Sequence, residues 1–467
     1  MAHNTVNSTG SSNGSSKKES VAFVYCEGSP SWNPDAYLAD AELHARAEAH
    51  LANDDLRSAI TTSFSLRKTD TYVYHAIVAV TLPQVQHVVS LGAASGLHNW
   101  YYAEPSPPPP APPSPSLQPP AQPAPPATAT TRRKTPPVLL PPPPKPDIEA
   151  YLSIFLPTSS APTALRNLAA NAKKGSLRRE IGTYLTTKRF VHPALPALVI
   201  PRVKKPSPPF PSNPYLAFQA WASRNLEWAG PGPSSARGPP SSHHVLPILM
   251  HHFGCACPSH EALEIIRLLA DGREIIDVGS GNGYWTRMLR DYHAFHALNT
   301  SKPRSTPPAS AIPLVTPVDS AQSSWRTTWV CDTLIADGAA YLRTTRRGAR
   351  DAVLLLVYPI VGGGVAGGTE GGFTRRMLDA YDGDTVAVVG TQNHNGYTGF
   401  RHMTMDEFMV REHGDEWVKV VQVPLPSFPG KDEALYVFQR GPRAPPRQGD
   451  DMRAQKPVVQ GKGEENV

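Results

Sequence analysis

The sequence predicts an α/β fold: a mostly parallel sheet, preceded by a small α/β N-terminal unit and a disordered proline-rich linker. Three observations carry that expectation. From Glu274 onward, short apolar runs alternate with helical or loop segments, which is the texture of a parallel sheet with crossover helices. At the head of the series stands REIIDVGSGNGYWTRMLR (Arg273–Arg290), a short strand ending in a glycine-rich turn that runs into a helix. The 52 prolines among 467 residues are clustered, with twenty between Pro105 and Pro146, so proline marks an interruption and not the whole chain.

Composition excludes several classes. Hydrophobic residues make up 40% of the chain, too many for a wholly disordered one. The longest apolar run, Ala352–Ala366, contains Gly362, Gly363 and Gly364 and reads as a buried strand entering a loop, so no membrane partner is expected. The net charge of +6 is spread out, with basic clusters beside proline-rich stretches and no aromatic stacking platform, so no nucleic-acid partner is expected. Four cysteines, Cys26, Cys255, Cys257 and Cys331, do not make a disulfide framework. MAHNTVNSTGSSNGSSKKES has no apolar core of a secretory signal, which points to a reducing, cytoplasmic location with the nucleus open as an alternative.

Along the chain, residues 1–20 are Ser/Asn/Gly-rich and expected to be disordered. Residues 21–102 form a small α/β unit of unassigned role, with a helix over Asp35–Leu51 behind Pro34 and a strand over Thr71–Leu82. Residues 103–147 are a proline-rich spacer whose PxxP spacings fit an SH3-type partner. Residues 148–212 are a helical extension, broken around Pro157–Pro162, and a proline-punctuated connector. The main domain spans 213–441, with helices over Asn213–Trp228, His244–Phe253 and Pro258–Leu269, and residues 442–467 are a disordered tail.

The chemistry lies in the glycine turn. Glycines fall at Gly279, Gly281 and Gly283, with Asp277 two residues ahead of the first. A dinucleotide site requires a small residue where this chain has Tyr284, which disfavours a nicotinamide enzyme. A carboxylate beside the loop suits a cationic ligand and repels a pyrophosphate. Further candidate strands come after it: Ile312–Val318 ahead of Asp319, Thr328–Ala336 ahead of Asp337, Asp351–Tyr358, Thr385–Gly390, Glu416–Val423 and Ala434–Gln439. Asp319 lies 42 residues beyond Asp277, where about 20 from the loop is usual. The polar stretch Leu298–Ala311 accounts for the excess as a surface insertion.

The acid-x-G-x-G-x-G strand–loop–helix resembles motif I of class I S-adenosylmethionine-dependent methyltransferases. The resemblance covers about residues 213–441 and implies a seven-stranded, mostly parallel Rossmann-like sheet with a C-terminal antiparallel hairpin. It implies S-adenosyl-L-methionine as cofactor, held at Asp277, Gly279, Gly281 and Gly283 near its methionine part. It places Asp319 at the ribose hydroxyls and Asp337, with Asp332 as rival, beside the adenine. GSGNGYW, VD-x-x-QS-x-WR and GTQNHNGYTGF also resemble a group of fungal methyltransferase-like proteins. The activity implied is that of an enzyme transferring a methyl group to an unidentified small-molecule or protein acceptor, the small molecule favoured. The alternative is a non-catalytic methyltransferase-like scaffold that recruits partners through its proline-rich segment.

Acceptor groups are expected at the carboxyl ends of the fourth and fifth strands. Tyr358-Pro359-Ile360-Val361 lacks the Asn/Asp/Ser-Pro-Pro-Tyr/Phe motif of many amino-directed methyltransferases, which argues against adenine or glutamine N-methylation. His394 and Tyr358 are the candidate catalytic residues, and Asn393, Asn395 and Tyr397 the candidate substrate-binding ones. His243, His244, His251, His252, Cys255, Cys257 and His260 crowd into 18 residues, but the segment is interrupted by Pro247 and Gly254 and lacks C-x-x-C spacing. No metal site is expected there; a helix lidding the cofactor, or plain packing, accounts for it.

Overall fold

The computed structural model describes residues 25–76, 79–92, 102–103, 138–139, 143–204, 209–225, 244–299, 314–360, 368–394, 398–400, 402–427 and 431–447. The expectations for residues 1–20, for most of the proline tract and for the tail beyond 447 lie outside these residues, as do His243, Asn395 and Tyr397.

Chain entry is helical: α1 (Pro34–Ala39), α2 (Ala41–Ala52) and α3 (Leu56–Ser63). Sequence suggests one helix over Asp35–Leu51, but the Asp40 carboxylate accepts from Leu43 N at 2.8 Å and starts a second helix there. The strand expected over Thr71–Leu82 is a two-residue antiparallel pairing of β1 (Tyr74–His75) with β2 (Ala79–Val80), followed by α4 (Leu82–Leu91). Either side of the proline tract, β3 (Tyr102–Ala103) pairs with β4 (Val138–Leu139). Next come α5 (Lys145–Leu152), α6 (Ala161–Ala170), α7 (Leu177–Lys188), β5 (Phe190–Val191), α8 (Pro214–Asn225), α9 (Leu246–Phe253) and α10 (His260–Ala270). The remainder alternates: β6 (Glu274–Val278), α11 (Tyr284–Asn299), β7 (Val315–Asp319), β8 (Leu334–Ile335), α12 (Gly338–Ala340), β9 (Ala352–Val357), α13 (Gly372–Leu378), β10 (Thr385–Thr391), α14 (Met405–His413), β11 (Val418–Pro424) and β12 (Glu433–Gln439).

One sheet organises the molecule, in the order β5-β11-β12-β10-β9-β6-β7-β8. The five strands from β10 to β8 run parallel, and β12 is antiparallel between β10 and β11. The sheet therefore has eight strands where sequence suggests seven. The addition is β5, whose two residues pair antiparallel with β11 and are too short to carry a periodic signal. The third expected strand shrinks from Thr328–Ala336 to Leu334–Ile335, because the backbone of Thr327, Thr328 and Trp329 bonds to His251, Tyr25 and Asn282 instead.

Strand residues alternate between two hydrophobic layers, as a pleated sheet covered on both faces requires. Ile275, Val353, Leu355 and Val389 face α8, α9, α10 and α11, whereas Ile276, Leu354, Leu356 and Val388 belong to the layer of α12, α13 and α14. The first layer also contains Trp32, Ile60, Phe64, Tyr74 and Val85. The boundary drawn between residues 21–102 and the main domain is thus crossed by one continuous core. Helices α5, α6 and α7 gather a separate cluster around Tyr151, Phe155, Leu165 and Leu185. After β7 and β8 are laid down on one side of β6, the chain returns to add β9 on the other. The carboxyl ends of β6 and β9 flank this reversal, where open parallel sheets form their crevice.

Candidate functional site

A cavity of about 260 Å³ opens at that crevice. Its walls come from four strand ends, through Val278, Asp319, Asp337 and Tyr358, and from the glycine loop 279–282. The loop needs its glycines. Gly281 has φ +57, and a Cβ there would lie 3.0 Å from the Trp325 ring; a Cβ on Gly283, at φ +79, would land on Val330 Cγ2. Gly279 N and Ser280 N donate to Val318 O at 2.7 and 3.2 Å, which seats the loop on the end of β7.

The acids fall into three different environments. Asp319 ends β7; its Oδ2 accepts from Gly281 N at 2.9 Å and its Oδ1 from Ala321 N at 2.7 Å. A carboxylate has about four acceptor positions, so lone pairs remain for a ligand in the cavity. Asp277 is fully buried one residue below the cavity wall, its Oδ2 accepting from Thr286 Oγ1 at 2.7 Å. Burial pushes its carboxyl up to about 7, against the lowering effect of the Thr286 hydroxyl and with a further push from Asp319. Asp337 caps α12, accepting from Ala340 N at 2.9 Å, and pairs with Arg376 at 2.8 Å. Those two partners, the Ala340 amide first, hold it below the usual carboxylate range. Its capping role is real, and it still lines the cavity. The rival Asp332 forms a bidentate pair with Arg290 and is not a lining residue.

Polar atoms without hydrogen-bond partners collect at the glycine loop: Asp277 Oδ1, Ser280 Oγ and Asn282 Nδ2. Asn282 is 2% exposed, so an unmet donor there is costly unless a ligand meets it. Farther along, Val278, Val318, Ala336, Val357, Phe373 and Met377 make an apolar slot. The lining thus offers unpaired polar atoms at the glycine loop, carboxylate oxygens at Asp319 and an apolar slot beyond them. Sequence reasoning missed Asn282, Trp325, Phe373 and Arg376 as cavity residues. Trp325 lies within the quoted VD-x-x-QS-x-WR segment, so it was within reach of that signal.

Acceptor-side candidates separate. Tyr358 lines the cavity at φ +58, a conformation that β-strand ends rarely hold without a reason, and Lys431 Nζ sits 4.7 Å from its ring centre. His394 is exposed and pairs with Glu407 at 3.0 Å, while Asn393 is buried; neither lines the cavity. The loop after β10 is instead tied toward β12, with Gln392 Nε2 donating to Asp432 Oδ1 at 2.9 Å.

The His/Cys segment serves packing. His252 is hydrogen-bonded to the Tyr74 hydroxyl at 2.9 Å and the Thr327 hydroxyl at 2.7 Å, and it stacks on Phe64 with ring centres 3.9 Å apart. Burial holds it well below the ordinary histidine range. His251 Nε2 donates to His75 O at 2.7 Å. Helix α9 and the turn after it reach the cavity through Met250, Phe253 and Cys255, not through histidine. Among the described residues, no group of three or more His, Cys, Asp or Glu is placed to hold a metal ion, and no helix is long and apolar enough to cross a membrane. A larger cavity of about 640 Å³ lies between α2, α5 and α8, away from the strand ends and the glycine loop.

Comparison with known proteins finds no family whose pattern matches the chain and no match among curated proteins.

Proposed function

We propose that the chain is an S-adenosylmethionine-dependent methyltransferase whose acceptor is unidentified, a small molecule being favoured over a protein. One observation carries the reading: the glycine loop after β6 and the acid ending β7 meet in one cavity at the sheet's reversal point, joined by the 2.9 Å bond from Gly281 N to Asp319. The sheet order supports it. Without β5, the order β8-β7-β6-β9-β10-β12-β11, with β12 alone reversed, fits the seven-stranded Rossmann-like arrangement expected of this enzyme class.

In this reading, Ser280 and Asn282 meet the amino-acid end of the cofactor and the Asp277 carboxylate lies beneath its positive charge. Asp319 accepts from the ribose hydroxyls, and the slot between Ala336, Phe373 and Met377 takes the base. The bound cofactor supplies an electrophilic methyl on sulfur. The protein's share is to orient the acceptor in line with it and to exclude water. Tyr358, at the end of β9, stands where the acceptor enters.

Calorimetric titration of the full chain with S-adenosylmethionine, S-adenosylhomocysteine and NAD tests the reading. Micromolar binding of the first two, lost in Gly281→Arg, is the expected result. Folded protein that binds neither, or binds NAD instead, overturns it.

A further inference from the structure

Residues 25–76 have no part in the eight-stranded sheet, yet they grip the segment that forms one wall of the cavity. Trp325 lines that cavity and stands so close to the glycine loop that a Cβ on Gly281 would touch its ring at 3.0 Å. The next residue, Arg326, is 2% exposed. Its guanidinium binds both oxygens of Asp70, at 2.5 and 3.1 Å, and lies 4.2 Å from the ring centre of Tyr72 and 5.5 Å from that of Tyr74.

The backbone is clamped as well. Glu27 N donates to Arg326 O at 2.9 Å, Thr328 N donates to Tyr25 O at 2.6 Å, and Cys26 bridges Thr327 antiparallel. Two more bonds, Thr327 N to His251 O at 3.2 Å and Trp329 N to Asn282 O at 2.8 Å, tie the same segment to α9 and to the glycine loop. Trp325 and Arg326 are adjacent in the chain, and the backbone bends at Arg326. Anchoring Arg326 and its neighbours therefore fixes the backbone that carries the Trp325 indole against the glycine loop. A buried guanidinium demands its partner carboxylate, so Asp70 determines where Arg326 rests.

We propose that residues 25–76 are a positioning element of the cofactor site, in which Asp70, acting through Arg326, sets Trp325 against the glycine loop. The inference rests on the proposed function. It gives the N-terminal unit a role in ligand binding beyond covering the core.

The test compares full-length Asp70→Asn, Asp70→Glu and Arg326→Lys with the unmodified chain, using S-adenosylhomocysteine titration and amide hydrogen exchange over residues 320–330. Arg326→Lys keeps the charge but loses the two-pronged geometry, so it carries the test if Asp70→Asn fails to fold. Asp70→Asn and Arg326→Lys are expected to weaken binding about tenfold, or 1.4 kcal/mol, and to speed exchange at Thr328. Asp70→Glu recovers most of the affinity. Ile181→Val, in the separate cluster of α7, controls for lost stability and leaves affinity unchanged. Folded Asp70→Asn and Arg326→Lys that bind as the unmodified chain does would overturn the proposal. If the unmodified chain itself fails to bind, the methyltransferase reading falls. Exchange then decides the clamp: faster at Thr328 in Asp70→Asn supports it, unchanged refutes it.

Discussion

Replacing Gly281 by alanine isolates what the glycine loop does, because Gly272 provides a matched control. Both have positive φ, +57 and +79, but a Cβ on Gly272 meets nothing within 4 Å. Placing an L-residue in the left-handed region costs about 1–2 kcal/mol. Reduced freedom of the unfolded chain returns about 0.4–1 kcal/mol. Gly272→Ala should therefore lose about 1 kcal/mol of stability. Gly281→Ala carries the same strain and adds a Cβ 3.0 Å from the Trp325 indole, against the roughly 3.5–4.0 Å of an unstrained carbon contact. Overpacking of that kind costs about 1–3 kcal/mol, so the total is about 2–4 kcal/mol. Urea unfolding reads the stability difference. Calorimetry should show S-adenosylhomocysteine affinity falling at least about tenfold, or 1.4 kcal/mol, in Gly281→Ala and unchanged in Gly272→Ala. Equal affinity in the two variants would refute the argument that Trp325 and the loop together form the ligand wall.

The same geometry carries other expectations. The Asp277 carboxyl, raised to about 7 when folded from an ordinary 3.8, binds its proton more tightly in the native state. Its contribution to stability is full below about 4 and is lost as pH rises through about 7. Urea unfolding at pH 5 and 7.5 should show this slope in the unmodified chain and lose it in Asp277→Asn; identical slopes would count against the assignment. Binding of a cationic ligand should tighten as pH rises through the same interval and be flatter in Asp277→Asn, measured by calorimetry. His252→Leu strands the Tyr74 and Thr327 hydroxyls in the core and should cost about 2–4 kcal/mol; a loss under about 0.5 kcal/mol in urea would contradict the structural role given to His252. His394→Ala, on an exposed ion pair, should leave S-adenosylhomocysteine affinity within about twofold.

Local features were legible in the sequence. Asp277, Gly279, Gly281 and Gly283 sit on one strand-to-helix turn, so their pattern is contained in a short stretch of sequence. Asp319 was legible because it closes a strand, although 42 residues separate it from Asp277. What escaped depends on residues far apart in the chain. Arg326 finds its carboxylate partner, Asp70, 256 residues away in the chain. Thr328–Ala336 has β-forming composition, yet its first residues bond to Tyr25 and Asn282, so pairing with β7 is confined to Leu334–Ile335. The histidines of α9 lack ligand spacing, and the packing of Phe64 and Tyr74 against His252 shows what that one does. His394 comes after β10 as an acceptor-side residue would, but the chain there turns toward Glu407 and away from the cavity.

Methyl transfer itself tests the central claim most directly. Incubating the full chain with S-[methyl-³H]-adenosylmethionine and fractionated cell extract, beside Gly281→Arg, detects transfer to whichever acceptor the extract contains. The account predicts tritium incorporated into an extract fraction, with stoichiometric S-adenosylhomocysteine, by the unmodified chain alone. Protein that binds the cofactor yet moves no label into any fraction would contradict it and favour a scaffold.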